Sequence, residues 1–281
     1  MERREHKNAC SRRKCQSGQE LATPREGPVY WPVSSENVII VSDAHLGHAP
    51  SAAGEAFHRF LADVPRIGGH LVINGDLFDF WFEYRRVIPR DAFPILAALA
   101  AMRKAGVRLT VIGGNHDRWG GDFWPRELGA AFYPDPVELE ISGFRVFLAH
   151  GDGLSEAWVA SRFLHRLTRL PITAGLFRWI HPDVGFWLAD RFSGSLAERA
   201  QDPASLDLAA AGQETFARTL LAERPDLDLL ILSHTHRPAL VKVGERRWYL
   251  NPGAWIDGAR YAMLGTGGPQ LRTFVDGERP I

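Results

Sequence analysis

The strongest restriction on how this chain can fold is that five apolar runs each stop abruptly at a short polar signature. Residues 37–42 lead into Asp43-Ala44-His45, and 70–74 into Gly75-Asp76-Leu77-Phe78-Asp79. Residues 108–112 lead into Gly114-Asn115-His116-Asp117, 145–149 into His150-Gly151-Asp152, and 229–233 into His234-Thr235-His236. Short β-branched or leucine-rich runs of this kind read as buried parallel strands. In open α/β sheets ligands gather outside the carboxyl ends of such strands. Five ends on one rim would bring Asp43, His45, Asp76, Asn115, His150, His234 and His236 together. Glycines at 75, 114 and 151 let the backbone turn sharply and approach the rim closely.

Carboxylate, imidazole and amide groups arriving from separate segments suit divalent ions such as Mn, Fe, Zn or Mg. A single bridging Asp can hold two of these about 3.5–4 Å apart, the spacing used for in-line displacement at phosphorus. A blander reading is that polar residues collect in loops because loops are wet. That accounts for one signature, but not for five strand-terminal signatures with a complete ligand set. His48, His58, His70, His165 and His181 have no such setting and read as surface or capping residues.

The order and residue types of these signatures resemble the calcineurin-like metallophosphoesterase superfamily over roughly residues 36–265. The resemblance implies an α/β fold, a β-sandwich flanked by helices, and a dinuclear-metal phosphoesterase. Carried over position by position, it assigns one ion to Asp43, His45, Asp76 and His236, and a second to Asp76, Asn115, His150 and His234. Ser233 departs from the pattern, because the superfamily usually has Gly before its His-x-His pair. A Cβ there is expected to shift the backbone slightly.

A finer resemblance lies in residues 74–84, with Gly75-Asp76-Leu77-Phe78 followed by Trp81, and in Gly114-Asn115-His116-Asp117-Arg118-Trp119. These strings are similar to UDP-2,3-diacylglucosamine diphosphatases, lipid A pathway enzymes that cleave a sugar-nucleotide pyrophosphate at a membrane surface. Many of them carry Arg where this chain has His116. The superfamily resemblance gives His116 the role of protonating the leaving oxygen or stabilising its charge, and imidazoles can change charge near neutral pH. Asp79 is a candidate to orient His116 through a carboxylate–imidazole hydrogen bond. Capping the following turn is an equally good account of Asp79. Arg118 and Asp152 are expected beside the ligands, and Asn251-Pro252-Gly253 as a tight turn beneath the His234–His236 loop.

With 281 residues and 45% hydrophobic content, the chain can bury a full core. Its 33 Lys+Arg balance 33 Asp+Glu, which argues against a general nucleic-acid binder. The only cysteines, Cys10 and Cys15, lie in the N-terminal stretch, so no disulfide framework or four-ligand zinc site follows and a reducing cytoplasm is the simpler setting. No run approaches the roughly 20 apolar residues needed to span a bilayer, and the start lacks the apolar segment of a secretory signal. Residues 1–35 read as a disordered basic tail, for which plain solvation is a better account than attraction to anionic lipid. Residues 36–281 read as one metallophosphoesterase domain with a helical cap insertion at about 153–201.

The cap span combines helically spaced aromatic and leucine residues with arginines, broken at Pro171, Gly175 and Pro182. Many of its apolar groups are expected simply to attach the cap to the core. In the similar diphosphatases an insertion at this point receives acyl chains, and arginine forks match phosphate oxygens. The expected function is therefore metal-dependent hydrolysis of UDP-2,3-diacylglucosamine to UMP and 2,3-diacylglucosamine 1-phosphate, with two divalent ions, foremost Mn²⁺. The expected partner is a UDP-linked acylated amino sugar. The setting is the cytoplasm, with peripheral contact at the inner face of the membrane. The alternatives are a calcineurin-like phosphodiesterase or phosphatase acting on a soluble nucleotide or phosphoester and, more remotely, a noncatalytic membrane-peripheral binding protein.

Overall fold

The apolar runs fold into strands whose alternate residues face two different cores. A computed structural model of the chain describes residues 37–47, 49, 51–154, 171–189, 191 and 203–276. The basic tail with its two cysteines, His48, His165 and residues 155–170, 190 and 192–201 of the cap span lie outside the described residues.

Strands β1 (Val38–Val41), β2 (His70–Asn74), β3 (Arg108–Ile112) and β4 (Ala131–Tyr133) pair in parallel, β10 (Arg260–Gly265) pairs antiparallel with β1 and β11 (Gly268–Thr273) antiparallel with β10, in the order β11-β10-β1-β2-β3-β4. A second sheet, β5-β6-β7-β9-β8, contains β5 (Val137–Ile141), β6 (Phe144–Leu148), β7 (Leu229–Ile231), β8 (Ala239–Gly244) and β9 (Arg247–Asn251). The five strand ends therefore belong to two sheets and not to one open rim. Polar alternation in β6, where Arg145 is exposed between buried Phe144 and Val146, already marks a strand with differently covered faces.

Side-chain alternation builds the layers. Val38, Ile40, Val72 and Ile112 pack against Phe144, Val146, Leu148, Leu229, Ile231 and Leu250, which makes the core between the sheets. Ile39, Val41, Leu71, Ile73, Leu109 and Val111 point the other way, toward the helices α1 (Ser51–Ile67), α2 (Phe93–Lys104) and α3 (Phe123–Leu128). In α1 the buried residues Phe57, Phe60, Leu61 and Val64 follow helical spacing and form a single stripe. Behind the second sheet, Ala217 and Leu221 of a long helix meet Ala149, Leu230, Leu232 and Tyr249. The result is a β-sandwich with helices outside both sheets. None of the helices in the described residues is long and apolar enough to cross a membrane.

Three further helices complete the described chain: α4 (Pro171–Phe177), α5 over 182–189, and the long α6 (Pro203–Glu223) that covers the second sheet. Phe177, at the end of α4, lies 4.7 Å from the Phe82 ring, 5.4 Å from Trp119 and 5.8 Å from Phe80, and Phe186 of α5 lies 5.1 Å from Phe80. The aromatic string after Asp76 is thus divided. Phe78 stacks on Trp81, which packs against Phe123 and Trp124, whereas Phe80 meets Phe177 and Phe186 and the buried Phe82 meets Phe177.

His70 is neither a surface nor a capping residue, contrary to the sequence expectation. It begins β2, is 6% exposed, and its Nε2 lies 2.9 Å from Thr110 Oγ1 on β3. A buried imidazole with a hydroxyl partner stays neutral more readily than it stays charged. Burial, aided by Arg108 and Arg103, pushes its pKa down to about 3. Because the folded value lies below the unfolded one, the unfolded chain binds more protons between about pH 6.5 and pH 3, and stability falls as pH drops through that window. At pH 5 this amounts to roughly 2 kcal/mol relative to pH 7, at 1.36 kcal/mol per unit. His70→Gln keeps a partner for Thr110 and is expected to abolish that share of the acid sensitivity. Urea unfolding of both proteins at pH 7 and pH 5, in EDTA, measures it; equal acid sensitivity in the two proteins would show that His70 is not its source.

Candidate metal centre

The seven ligand candidates converge where the ends of the two sheets face each other, and the backbone is strained to bring them there. Asp43, His45, Asp76, His234 and His236 all have positive φ, at 51°, 45°, 53°, 74° and 58°. Among the described residues only Ser142 and Ala259 share this conformation without being glycine. Such conformations cost of order 1–3 kcal/mol each and persist where surrounding structure enforces them. Here the enforcement is visible: Asp43 N donates to Gly75 O, Ala44 N and His45 N both donate to Asp76 O, and Ile256 N donates to Asp43 O.

Three groups of possible ligand atoms result, each within 4.8 Å: Asp43, His45 and His236; Asp76, His150 and His234; and His45, Asp76 and His116. Asp43, Asp76 and His150 form a buried floor, and His45, His234, His236 and His116 a partly exposed rim. His150 Nε2 lies 3.0 Å from Asp76 Oδ2, 3.2 Å from Asn115 Oδ1 and 4.0 Å from Asp43 Oδ1. His236 Nε2 is 3.5 Å from Asp43 Oδ1, and His45 Nε2 is 4.0 Å from Asp76 Oδ2. Asp76 faces both halves, and Gly114 lies so close that a Cβ there would run into its carboxylate.

The hydrogen bonding of this cluster fits a cation. His150 Nδ1 donates to Asn74 O at 2.9 Å, so a neutral ring turns its Nε2 lone pair toward the Asp76 carboxylate. Only a proton or a metal ion resolves that confrontation. Asp43 Oδ1 is buried with no hydrogen-bond partner, an arrangement that is unfavourable unless positive charge compensates it. Burial works against charge on His150, yet Asp76 and Asp43 outweigh it and raise its pKa well above the usual imidazole range. The same contest, with Asp79, Asp76 and Asp43 prevailing over burial, holds His45 at about 9. Asp76 is likewise buried against its charge, but His150, His116 and His45 keep it well below the usual carboxylate range. This field attracts a proton and would attract a divalent ion more strongly.

His116 sits beside this floor. Its backbone N–H donates to Asp76 Oδ1 at 3.0 Å, its ring Nδ1 meets the main-chain carbonyl of Asp79 at 2.5 Å, and its ring lies edge-on to His45 with centroids 4.9 Å apart. The Asp79 carboxylate is 3.9 Å from His116 Nδ1 and 3.7 Å from His45 Nδ1. The hydrogen bond expected from the Asp79 side chain to His116 is therefore made by the Asp79 backbone, because the tight turn after Phe78 aims that carbonyl at the ring. The carboxylate is left between two imidazoles.

Outer contacts tie the loops together. Arg118 Nη2 reaches both Asp152 oxygens, at 2.9 and 3.3 Å, in a buried pair joining the 114–118 and 150–152 loops. Asp117 accepts from Gly114 N and Leu77 N, while burial and the neighbouring Asp76 push its pKa up to about 6. Asn251 Nδ2 donates to Thr235 Oγ1 at 3.1 Å and its Oδ1 accepts from Gly253 N, which supports the His234–His236 loop from below. Ser233, where Gly is usual, is fully buried, and its Oγ accepts from Asn74 Nδ2 at 2.7 Å. Asp257 went unnoticed in the sequence; its carboxylate lies 2.9 Å from His236 Nδ1. A carboxylate behind a ligating imidazole fixes its tautomer and orientation, but one Asp in an irregular C-terminal stretch carries no local signal.

A family model described as calcineurin-like phosphoesterase matches residues 36–238. A UDP-2,3-diacylglucosamine hydrolase of Porphyromonas gingivalis is 30% identical over 243 residues, covering 80% of this chain and 93% of its own. One of Ralstonia nicotianae is 32% identical over 227 residues, with 76% and 82% covered. One of Xanthomonas oryzae pv. oryzae is 29% identical over 251 residues, with 84% and 98% covered. The chain belongs to the calcineurin-like phosphoesterase family, a class of divalent-metal-dependent hydrolases.

Proposed function

We propose that this hydrolase cleaves the pyrophosphate of UDP-2,3-diacylglucosamine, giving UMP and 2,3-diacylglucosamine 1-phosphate. The observation that carries the reading is that relatives bearing that substrate in their names align over most of either chain, at 29–32% identity. Asp43, His45, Asp76 and His236 would hold one divalent ion, and Asp76, Asn115, His150 and His234 the other. Mn²⁺ is the ion proposed, although this donor set equally accommodates Fe, Zn and Mg. When bound, the ions supply the positive charge that polarises the phosphoryl oxygens and acidifies the attacking water.

The chain's own side chains do the rest. With Nδ1 tied to the Asp79 carbonyl, His116 has Nε2 left to give a proton to the leaving oxygen or to stabilise its charge. Asp79 holds this ring in place through its backbone. Phe177 and Phe186 seat the described cap helices, while Trp179 and Trp187 are 91% and 61% exposed. Attachment and display are thus given to different aromatics, and the displayed pair is proposed to meet the acyl chains. A cytoplasmic enzyme touching the inner membrane face peripherally follows from a substrate with a soluble nucleotide head and lipid tails.

Steady-state kinetics on diacylated and deacylated UDP-glucosamine test this. Trp179→Gln with Trp187→Gln is expected to raise KM for the diacylated substrate roughly 5–30-fold, the equivalent of 1–2 kcal/mol of contact. Hydrolysis of a small chromogenic phosphodiester and the Tm should hardly change, since neither side chain is buried; truncating buried aromatics costs about 3–5 kcal/mol. Preference for the deacylated compound would move the assignment to a soluble phosphoester. Absence of both metal and turnover after Mn²⁺ loading would leave only a binding role.

A further inference from the structure

Behind the candidate metal centre, helix α6 buries one polar side chain on a face otherwise made of Ala217 and Leu221. Gln213 is 0% exposed. Its Nε2 donates to Ser233 O at 2.9 Å and reaches Gly151 O at 3.5 Å. Its Oε1 lies 3.4 Å from Thr235 Oγ1, 3.4 Å from Tyr249 OH and 3.5 Å from Asn251 Nδ2. The donor side is the stronger, because only the Ser233 bond has the length of a well-formed N–H···O contact. Gly151 has φ +109°, and a Cβ there would press to within 2.5 Å of the same Nε2. Amide and glycine therefore occupy complementary space.

Both carbonyls belong to residues adjacent to ligand candidates: Ser233 precedes His234, and Gly151 follows His150. These two imidazoles face each other with ring centroids 5.2 Å apart and group with Asp76, not with the Asp43, His45 and His236 set. We propose that Gln213 is a positioning residue that braces the His150 and His234 loops against each other, so that one half of the centre depends on it more than the other. A helix on the outer layer of the sandwich thereby controls the geometry of a single metal position. The inference rests on the ligand assignment given above.

The test is stoichiometric Mn²⁺ titration of the full chain, followed by calorimetry and EPR, together with Tm in EDTA. Wild type is expected to bind two ions; failure to do so would reject the ligand assignment itself, independently of Gln213. Gln213→Met fills the same volume without donor or acceptor. It is expected to weaken one of the two ions about 10–100-fold, the range seen when outer partners of metal ligands are lost, and the other less than about threefold. Gln213→Asn, shorter by one methylene and milder to folding, should weaken the same ion to a smaller degree. Gln213→Glu keeps the shape but turns a carboxylate toward the Ser233 carbonyl, and should not restore the ion. Equal weakening of both ions alongside a lowered Tm would show a purely structural glutamine and overturn the proposal, as would unchanged affinities in both Gln213→Met and Gln213→Asn.

Discussion

Asp76→Ala is expected to remove high-affinity binding of both metal ions and, with it, all measurable turnover. Asp76 is the carboxylate proposed to be shared by both ions: one oxygen lies 3.0 Å from His150 and 4.0 Å from His45, while the other accepts from His116 N. Losing an outer partner weakens a metal site about 10–100-fold; losing a carboxylate shared by two ions should exceed that for each. The variant also leaves His150 and His45 without the charge that helps hold them protonated in the absence of metal, so the polar floor loses its organising anion. Elemental analysis after Mn²⁺ loading and gel filtration checks the metal, and circular dichroism checks that the sandwich persists. A folded variant that retains two ions would sink the bridging role.

His116→Ala should separate chemistry from metal binding. The backbone N–H that donates to Asp76 survives the substitution, so the floor keeps its geometry. What disappears is the ring held by the Asp79 carbonyl, and turnover is expected to fall about 10²–10⁴-fold, the usual contribution of a positioned acid or base. Both ions should remain. Because His45, Asp76 and His116 also lie within ligand distance of one another, the metal count is informative in its own right. Loss of one ion would make His116 a ligand, and near-wild-type turnover with both ions present would remove it from the mechanism.

The two variants together test how the polar residues divide their work. In the proposed division the buried floor would supply negative charge for the cations, and of the partly exposed rim His45, His234 and His236 would complete the ion sites while His116 would reach the substrate. The proposed cap adds a third layer. Its described helices sit on Phe80, Phe82 and Trp119, residues that follow Asp76 and His116 closely in the chain, so acyl recognition and phosphoryl chemistry would share one continuous scaffold.

Much of this was readable one segment at a time. An apolar run that ends in Asp-Ala-His or His-Thr-His says that a strand stops and a polar loop begins, because burial and periodicity are local properties of the chain. The residues that meet at the centre were therefore nameable from the sequence, as was the turn at Asn251-Pro252-Gly253. Less legible were the partners reached through the backbone. The Asp79 carbonyl, not its carboxylate, meets His116, since carbonyl direction depends on φ and ψ and leaves no trace in residue type. His70 looked like an ordinary polar residue at a strand start, yet its neighbour Thr110 and the sheet around it bury it.

Ser233 marks the boundary between the two kinds of information. Its hydroxyl does more than tolerate a position where glycine is usual: it accepts from Asn74, across the two sheets, and so becomes part of the floor. The sequence by itself determined which segments are apolar strands, where each strand ends and which Asp, Asn and His residues stand at those ends, because these follow from side-chain polarity along a few consecutive residues. Only the tertiary structure decided that the strands divide between two sheets, that Asp257 stands behind His236 and that Gln213 holds two loops from the outer helix. Those contacts join residues far apart in the chain, and their energy exists only once packing has placed a donor and an acceptor within about 3 Å of each other.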